Sequence, residues 1–206
     1  SKVPVAVNLP GKPVTEIGAA HGTTCAIASK EIYCWGENGY GRTGNNGSTT
    51  VPVLSPTAVK TEGTPLAGQT IKGLSVGYFH ICAIVGESSG SVSCWGSGAL
   101  GQMGNGTVGG ANPVPRPVVA GALSGRNVTS ISAGWDSTCA VTDGAVFCWG
   151  HNGSYLKLGN GVTGNVSSPV AAAGLSGNPG YPVSRTVTIK DAAGKTVKNA
   201  VTLWLD

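Results

Sequence analysis

Charge is scarce in this chain of 206 residues: 11% of positions are Asp, Glu, Lys or Arg, against about 25% in ordinary globular domains. The net charge of +4 is small and scattered. It makes no basic stripe, so a nucleic-acid partner is not expected. No apolar run approaches the ~18 residues of a membrane helix, so membrane insertion is not expected either. No secretory leader opens the chain at Ser1, so export implies a signal already removed. Amphipathic helices of normal length are missing. So are the signatures of common chemistries. The nine carboxylates are dispersed, and no acid pair suggests glycosidase work. Neither a Gly-x-Ser-x-Gly elbow nor a phosphate-binding Gly-Lys-Ser/Thr motif occurs. The histidines His21, His80 and His151 fall at three different points of the pattern described next. We therefore expect no catalytic residue, no metal, no cofactor and no enzyme.

What the chain has in abundance is glycine, with 34 residues, beside 12 prolines and six cysteines. The cysteines organise it. Cys25-Ala26-Ile27-Ala28-Ser29-Lys30-Glu31-Ile32-Tyr33-Cys34-Trp35-Gly36 folds about Ser29-Lys30, which sets Cys25 opposite Cys34. A second copy folds about Glu87-Ser88-Ser89 and sets Cys82 opposite Cys94. The third turns at Asp143-Gly144, a dipeptide that favours a type I′ hairpin, and sets Cys139 opposite Cys148. Counting outward from a two-residue turn puts the cysteines on non-hydrogen-bonded pairs, whose Cα atoms lie about 4.5 Å apart, at the short end of the disulfide range. The pairing Cys25–Cys34, Cys82–Cys94, Cys139–Cys148 follows the repeat. Two competing readings are zinc, which wants four ligands where each repeat offers two thiolates, and six buried free thiols. Disulfides favour an oxidising compartment, so we expect a secreted or cell-surface protein.

The first cysteines, Cys25, Cys82 and Cys139, are spaced by 57 and again by 57 residues. Aliphatic residues keep step eight positions upstream (Ile17, Leu74, Ile131) and eleven upstream (Val14, Ile71, Val128). A fixed period of this kind signals a repeat architecture. Proline-containing extended pieces at Val3-Pro4-Val5, Val51-Pro52-Val53 and Val114 to Val118 read as the start of each unit, with a fourth start at Ser168-Pro169-Val170. The units then cover about 2–50, 51–112 and 113–168. Residues 169–206 are a degenerate fourth repeat or a strand pair that caps the array or pairs with another chain, with Ser184 to Asp191 and Lys195 to Leu205 alternating about Ala192-Ala193-Gly194.

Gly77-Tyr78-Phe79-His80-Ile81-Cys82-Ala83-Ile84, then Cys94-Trp95-Gly96 and Gly101 to Gly106, resemble the regulator-of-chromosome-condensation repeat. The likeness runs over roughly residues 2 to 170. It implies an all-β fold of three to four four-stranded propeller blades, in a family whose full ring usually has seven. The cysteine pairs look like a secreted bacterial branch rather than the nuclear one. That family includes an exchange factor for a small GTPase and an inhibitor of β-lactamases, and neither role carries over by residue. His80 matches the family's histidine, with Thr23 and Ser137 at its equivalents, and reads as a structural hydrogen-bonding position.

Trp35, Trp95 and Trp149 sit on the strand face opposite the cysteines and are expected to pack between successive blades. Tyr78, Phe79, Trp135 and Asp136 lie in the turn before the hairpin, where such proteins vary, and are the expected contact residues. Three and a half blades leave two open edges, which invite another chain. The leading expectation is a non-catalytic structural or adhesive protein that assembles with itself, as a ring or a head-to-tail fibre. Val3, Val5 and Val7 and the C-terminal Val197, Val201 and Leu203 are the candidate exchange strands. The alternatives are a binding module or enzyme inhibitor that engages another protein through its loops, and a fragment of a larger propeller.

Overall fold

The computed structural model describes residues 3, 5–9, 12–87, 90–153 and 155–174, together with the backbone of 189–190 and 196–198. Twelve strands form three separate four-stranded antiparallel sheets. The first holds β1 (Val14–Ala20), β2 (Thr23–Ala28), β3 (Glu31–Gly36) and β4 (Val53–Ala58). The second holds β5 (Ile71–Val76), β6 (His80–Val85), β7 (Ser91–Ser97) and β8 (Ala111–Pro117). The third holds β9 (Ser130–Ala133), β10 (Ser137–Thr142), β11 (Ala145–Gly150) and β12 (Val166–Ala171). Strand order follows chain order in all three. A short pair, β13 (Ile189–Lys190) and β14 (Thr196–Lys198), stands apart. Among the described residues the helices are single 3-10 turns at Gly39–Gly41 and Gly121–Leu123, and none is long and apolar enough to cross a membrane.

The 57-residue period is kept in the pairing itself. Ile17, Leu74 and Ile131 oppose Ala26, Ala83 and Ala140. Each central hairpin brings its cysteines into register, and the disulfides Cys25–Cys34, Cys82–Cys94 and Cys139–Cys148 are formed with Cα–Cα distances of 4.1 Å. Such a distance belongs to the close, non-hydrogen-bonded type of strand pair. The two-residue turns differ in conformation. Ser29 and Lys30 both have left-handed φ, as a type I′ turn requires. At Asp143-Gly144 only Gly144 does, contrary to the type I′ expectation. Glycine takes the left-handed residue without steric cost, and Asp143 keeps an ordinary φ.

The prolines of β4, β8 and β12 lie on the outermost strand of each sheet, where no further strand needs their missing N–H. These segments close the preceding sheet instead of opening the next. An edge strand of this composition suits either end of a unit, so the blade is a permutation of the repeat read from the sequence.

The sheets pack face to face in chain order. From the first sheet Cys25, Ile27, Ile32 and Cys34 meet Leu74, Ile81, Ala83, Val85 and Trp95 of the second. From the second, Cys82, Ile84, Val92, Cys94 and Met103 meet Ala140, Ala145, Phe147 and Trp149 of the third. The cysteine face of one blade thus covers the tryptophan face of the next. Trp95 and Trp149 are wholly buried, and each indole N–H donates to a carbonyl of the preceding blade: Arg42 at 2.8 Å and Gln102 at 3.0 Å. A buried indole needs such a partner. At the two ends of the array the same columns stand open. Ile17 is 66% exposed where Leu74 is 9%, and Val141 is 42% exposed where Ile27 and Ile84 are 4%.

A candidate protein-binding surface at the inner turns

The turn after the first strand of each blade holds His21-Gly22, Tyr78-Phe79 and Trp135-Asp136. Their leading residues lie four positions before Cys25, Cys82 and Cys139. β5 lies against both β1 and β9, so these turns meet along one rim. The approach is close because Gly77 has no side chain: a Cβ there would fall 2.5 Å from the Gly134 carbonyl oxygen. With that space free, the Tyr78 amide donates to the same oxygen at 3.0 Å.

One ring per blade then forms a column. His21 stacks on Tyr78 with centroids 3.5 Å apart, and Tyr78 stacks on Trp135 at 4.4 Å with planes 13° apart. Phe79 meets Tyr78 edge-on at 4.6 Å, and Tyr40 meets Phe79 at 5.8 Å. Each such pair contributes about 0.5–1.5 kcal/mol beyond area burial. Trp135 ends the column 61% exposed, and Tyr40 flanks it 47% exposed.

Two charged groups border the column. Buried Arg42 donates to the Tyr78 carbonyl at 2.6 Å and to His21 Nδ1 at 3.0 Å, and pairs with Glu37 at 2.7 Å. At the other end Asp136 pairs with Lys157 and lies 3.1 Å from His151 Nδ1.

Behind the rim, His80 is fully buried. Thr138 Oγ1 donates to the Gln102 carbonyl at 3.0 Å, so it accepts from His80 Nε2–H at 2.6 Å. Among the described residues His80 Nδ1 has no partner. Burial disfavours the imidazolium and pushes its pKa down to about 4. The residue acts as a neutral strut between two blades.

The structure brings Tyr78, Phe79, Trp135 and Asp136 to one patch. It adds three residues that the sequence reading did not assign: His21, Tyr40 and Arg42. His21 had a signal, since it shares the four-before-cysteine position. Arg42 had none, because its role depends on the approach of a neighbouring blade. Among the described residues no three His, Cys, Asp or Glu side chains converge to hold a metal. Val3, Val5 and Val7 are exposed and lie outside the strands. Val197 belongs to β14, of which only the backbone is described, and Val201 and Leu203 lie outside the described residues.

Comparison with known proteins fits this architecture. The model of the regulator of chromosome condensation (RCC1) repeat matches residues 31–84, 89–141 and 143–189. The first two matches each take the two outer strands of one blade and the inner strands of the next, and the third takes β11 and β12 of the last blade. The chain is 32% identical over 161 residues to the human E3 ubiquitin-protein ligase HERC2, covering 78% of this chain and 3% of that protein. It is 33% identical over 145 residues to the Arabidopsis thaliana ultraviolet-B receptor UVR8, covering 70% and 30%. The chain therefore spans a minor part of these relatives. Among solved structures, human WBSCR16 superposes with a TM-score of 0.67 at 21% identity, over 83% of this chain and 40% of that one. Yeast RCC1 (Prp20), solved bound to Kap60, superposes with a TM-score of 0.63 at 17% identity, over 77% and 37%. With three repeat matches, three four-stranded blades and this shared fold, the chain belongs to the RCC1 repeat family.

Proposed function

We propose that this chain is a non-catalytic protein-binding segment of an RCC1-type propeller, with the aromatic column as its contact surface. The observation that carries the reading is Trp135, 61% exposed at the end of a pre-stacked row of rings, with Asp136 next to it in sequence. Tyrosine, tryptophan and arginine supply most interface hot spots, and rings already held in place lose little entropy on binding. A protein that shares this fold, yeast RCC1 (Prp20), was solved bound to Kap60. Three disulfides inside buried hairpins support a secreted or cell-surface location. The test is affinity capture of partners by the folded chain and by Trp135→Ala and Tyr40→Ala variants. A hot spot predicts loss of the partner by about thirtyfold or more in affinity. Capture unchanged by both variants would refute the assignment.

A second reading is association of copies through open blade edges. It is favoured by Ile17, exposed on the tryptophan face of the first blade, and by Trp35, half-buried where Trp95 and Trp149 are fully buried. Membership of a longer propeller would cover the same face. The 40% share of WBSCR16 spanned by the chain supports that version. Light scattering separates them: mass that grows with concentration supports self-association, and a constant monomer mass excludes it.

A further inference from the structure

We propose that the cleft beside the loop from β8 to β9 binds a short aliphatic carboxylate, with the acid group on Arg126 and the alkyl chain inside. The cleft holds about 210 Å³ and is walled by Val92, Val118, Leu123 and Val128, with Arg126 as the one charged residue of its lining. Its walls are pinned together. The Val118 amide donates to the Val92 carbonyl at 2.9 Å, and the Val128 amide to the Gly90 carbonyl at 3.1 Å. The Gly90 amide in turn donates to Asn127 Oδ1 at 2.8 Å. A cavity of about 150 Å³ takes a benzene molecule, so this one has room for an alkyl chain of about five or six carbons.

The cation is held in place. Arg126 Nε donates to the Ala122 carbonyl at 3.1 Å, and Cζ lies 5.1 Å from the centre of the buried Phe147 ring. Such a cation–π contact fixes the plane of the guanidinium. Among the described residues no carboxylate pairs with Arg126, and its two terminal amino groups donate to nothing. Those groups form a planar fork that matches the two oxygens of a carboxylate.

The repeat shows what a cation does at this position. Lys12 stands 114 positions before Arg126, two periods of the array. It lies over the Tyr33 ring, 4.9 Å from its centre, and pairs with the carboxylate of Glu31. Tyr33 and Glu31 stand one and three positions before Cys34; Phe147 and Ala145 stand one and three before Cys148. The third blade thus keeps the cation and the ring and lacks the acid. The second blade has neither, with Gln69 and Ser93 in their places. The matching cleft at the first junction, about 160 Å³, is lined by Lys30, Glu31 and Gln69, so it mixes both signs of charge. Only the cleft at Arg126 joins an apolar wall to a fixed cation without an acid of its own. It shares no residue with the aromatic column, and the two proposals stand or fall separately.

The experiment titrates the full chain with sodium hexanoate and follows the methyl signals of Val92, Val118 and Leu123 and the Arg126 Nε–H signal by NMR. Saturable shifts at these groups are expected, with a Kd of about 1 mM or tighter. From butanoate to hexanoate each added methylene should tighten binding by about threefold to fourfold, and decanoate should gain no further because the cleft is full. Hexan-1-ol, the same chain without charge, should bind at least about tenfold more weakly. Arg126→Gln installs the residue of the first junction at an exposed position. It should weaken hexanoate by about tenfold or more and leave hexan-1-ol unchanged. Absence of these shifts in the wild type at about 10 mM hexanoate, ten times the expected Kd, overturns the proposal and needs no variant. Equal binding of hexanoate and hexan-1-ol overturns it, as does unchanged hexanoate binding in Arg126→Gln. A peptide ending in leucine that binds about tenfold tighter than hexanoate, and only with its free C-terminal carboxylate, would assign the cleft to a protein terminus and overturn it as well.

Discussion

Acid should weaken this fold through one residue, His80. Its imidazole is buried, neutral and hydrogen-bonded through Nε2 to Thr138, with a pKa lowered from 6.5 to about 4. In the unfolded chain the same ring takes a proton near its ordinary value. Between those two values the unfolded state binds more protons, so stability falls as pH falls. The contribution is complete above about pH 6.5 and is lost by about pH 4. Each pKa unit corresponds to about 1.4 kcal/mol, so the whole window is about 3 kcal/mol, and the part from pH 6.5 to 5 about 2 kcal/mol. Urea unfolding of the wild type and of His80→Gln, at pH 7.5, 6.5, 5.5 and 5.0, isolates the effect. Glutamine keeps an N–H for Thr138 and does not titrate, while every other group is common to both proteins. The wild type should lose about 2 kcal/mol relative to the variant between pH 6.5 and 5. A difference that stays flat with pH would refute the reasoning, because it would mean that the ring is as easily protonated in the fold as out of it.

Three more outcomes are expected. Trp149→Ala should cost about 3–5 kcal/mol in thermal or urea unfolding, as for a fully buried aromatic, whereas Trp35→Ala, at the half-buried end position, should cost clearly less. The double variant Cys139→Ala with Cys148→Ala should lose about 2–3 kcal/mol on the loop-entropy account of a disulfide whose cysteines are nine residues apart. Removing the middle ring with Tyr78→Ala breaks two stacks and should lower stability by about 1–3 kcal/mol. Trp135→Ala breaks one stack at an exposed site and should lower it by about 1 kcal/mol or less; equal losses for the two would contradict the column.

The hairpins were legible in the sequence because local rules decide them. A turn of known length fixes the register, and the register fixes which cysteines meet. The 57-residue spacing carried the repeat from one blade to the next, down to Ile17, Leu74 and Ile131 opposite their alanines. The placement of Trp95 and Trp149 between blades followed from strand alternation, since they lie on the face opposite the cysteines. The proline-rich strands were ambiguous for a physical reason. Proline marks an edge, and both the end of one blade and the start of another are edges until the partner strand is known. Of the contact patch, Tyr78 and Trp135 stood out as aromatics in the turns before the hairpins. His21 shared their position and was hidden by its different chemistry. The stacking itself was not legible, because it depends on how far successive blades rotate, and no local pattern encodes that angle. The buried role of Arg42 was hidden likewise: it joins His21, Tyr78 and Glu37, residues as many as 36 positions away in sequence.

The offset between repeat and blade has an evolutionary consequence. The family matches run over 31–84, 89–141 and 143–189, so a unit gained or lost by recombination begins in the middle of one hairpin and ends in the middle of another. Excising 89–141 would remove β7 to β10 and join β6 directly to β11. The surviving halves would make a whole blade, β5-β6-β11-β12, with Cys82 brought opposite Cys148. Gene-level loss of the first or the second unit therefore deletes no half-sheet and orphans no cysteine, whereas loss of 143–189 removes β11, β12 and Cys148 and leaves Cys139 without its partner. An array built this way can lengthen or shorten by single internal units while each intermediate remains a set of finished, cross-linked blades.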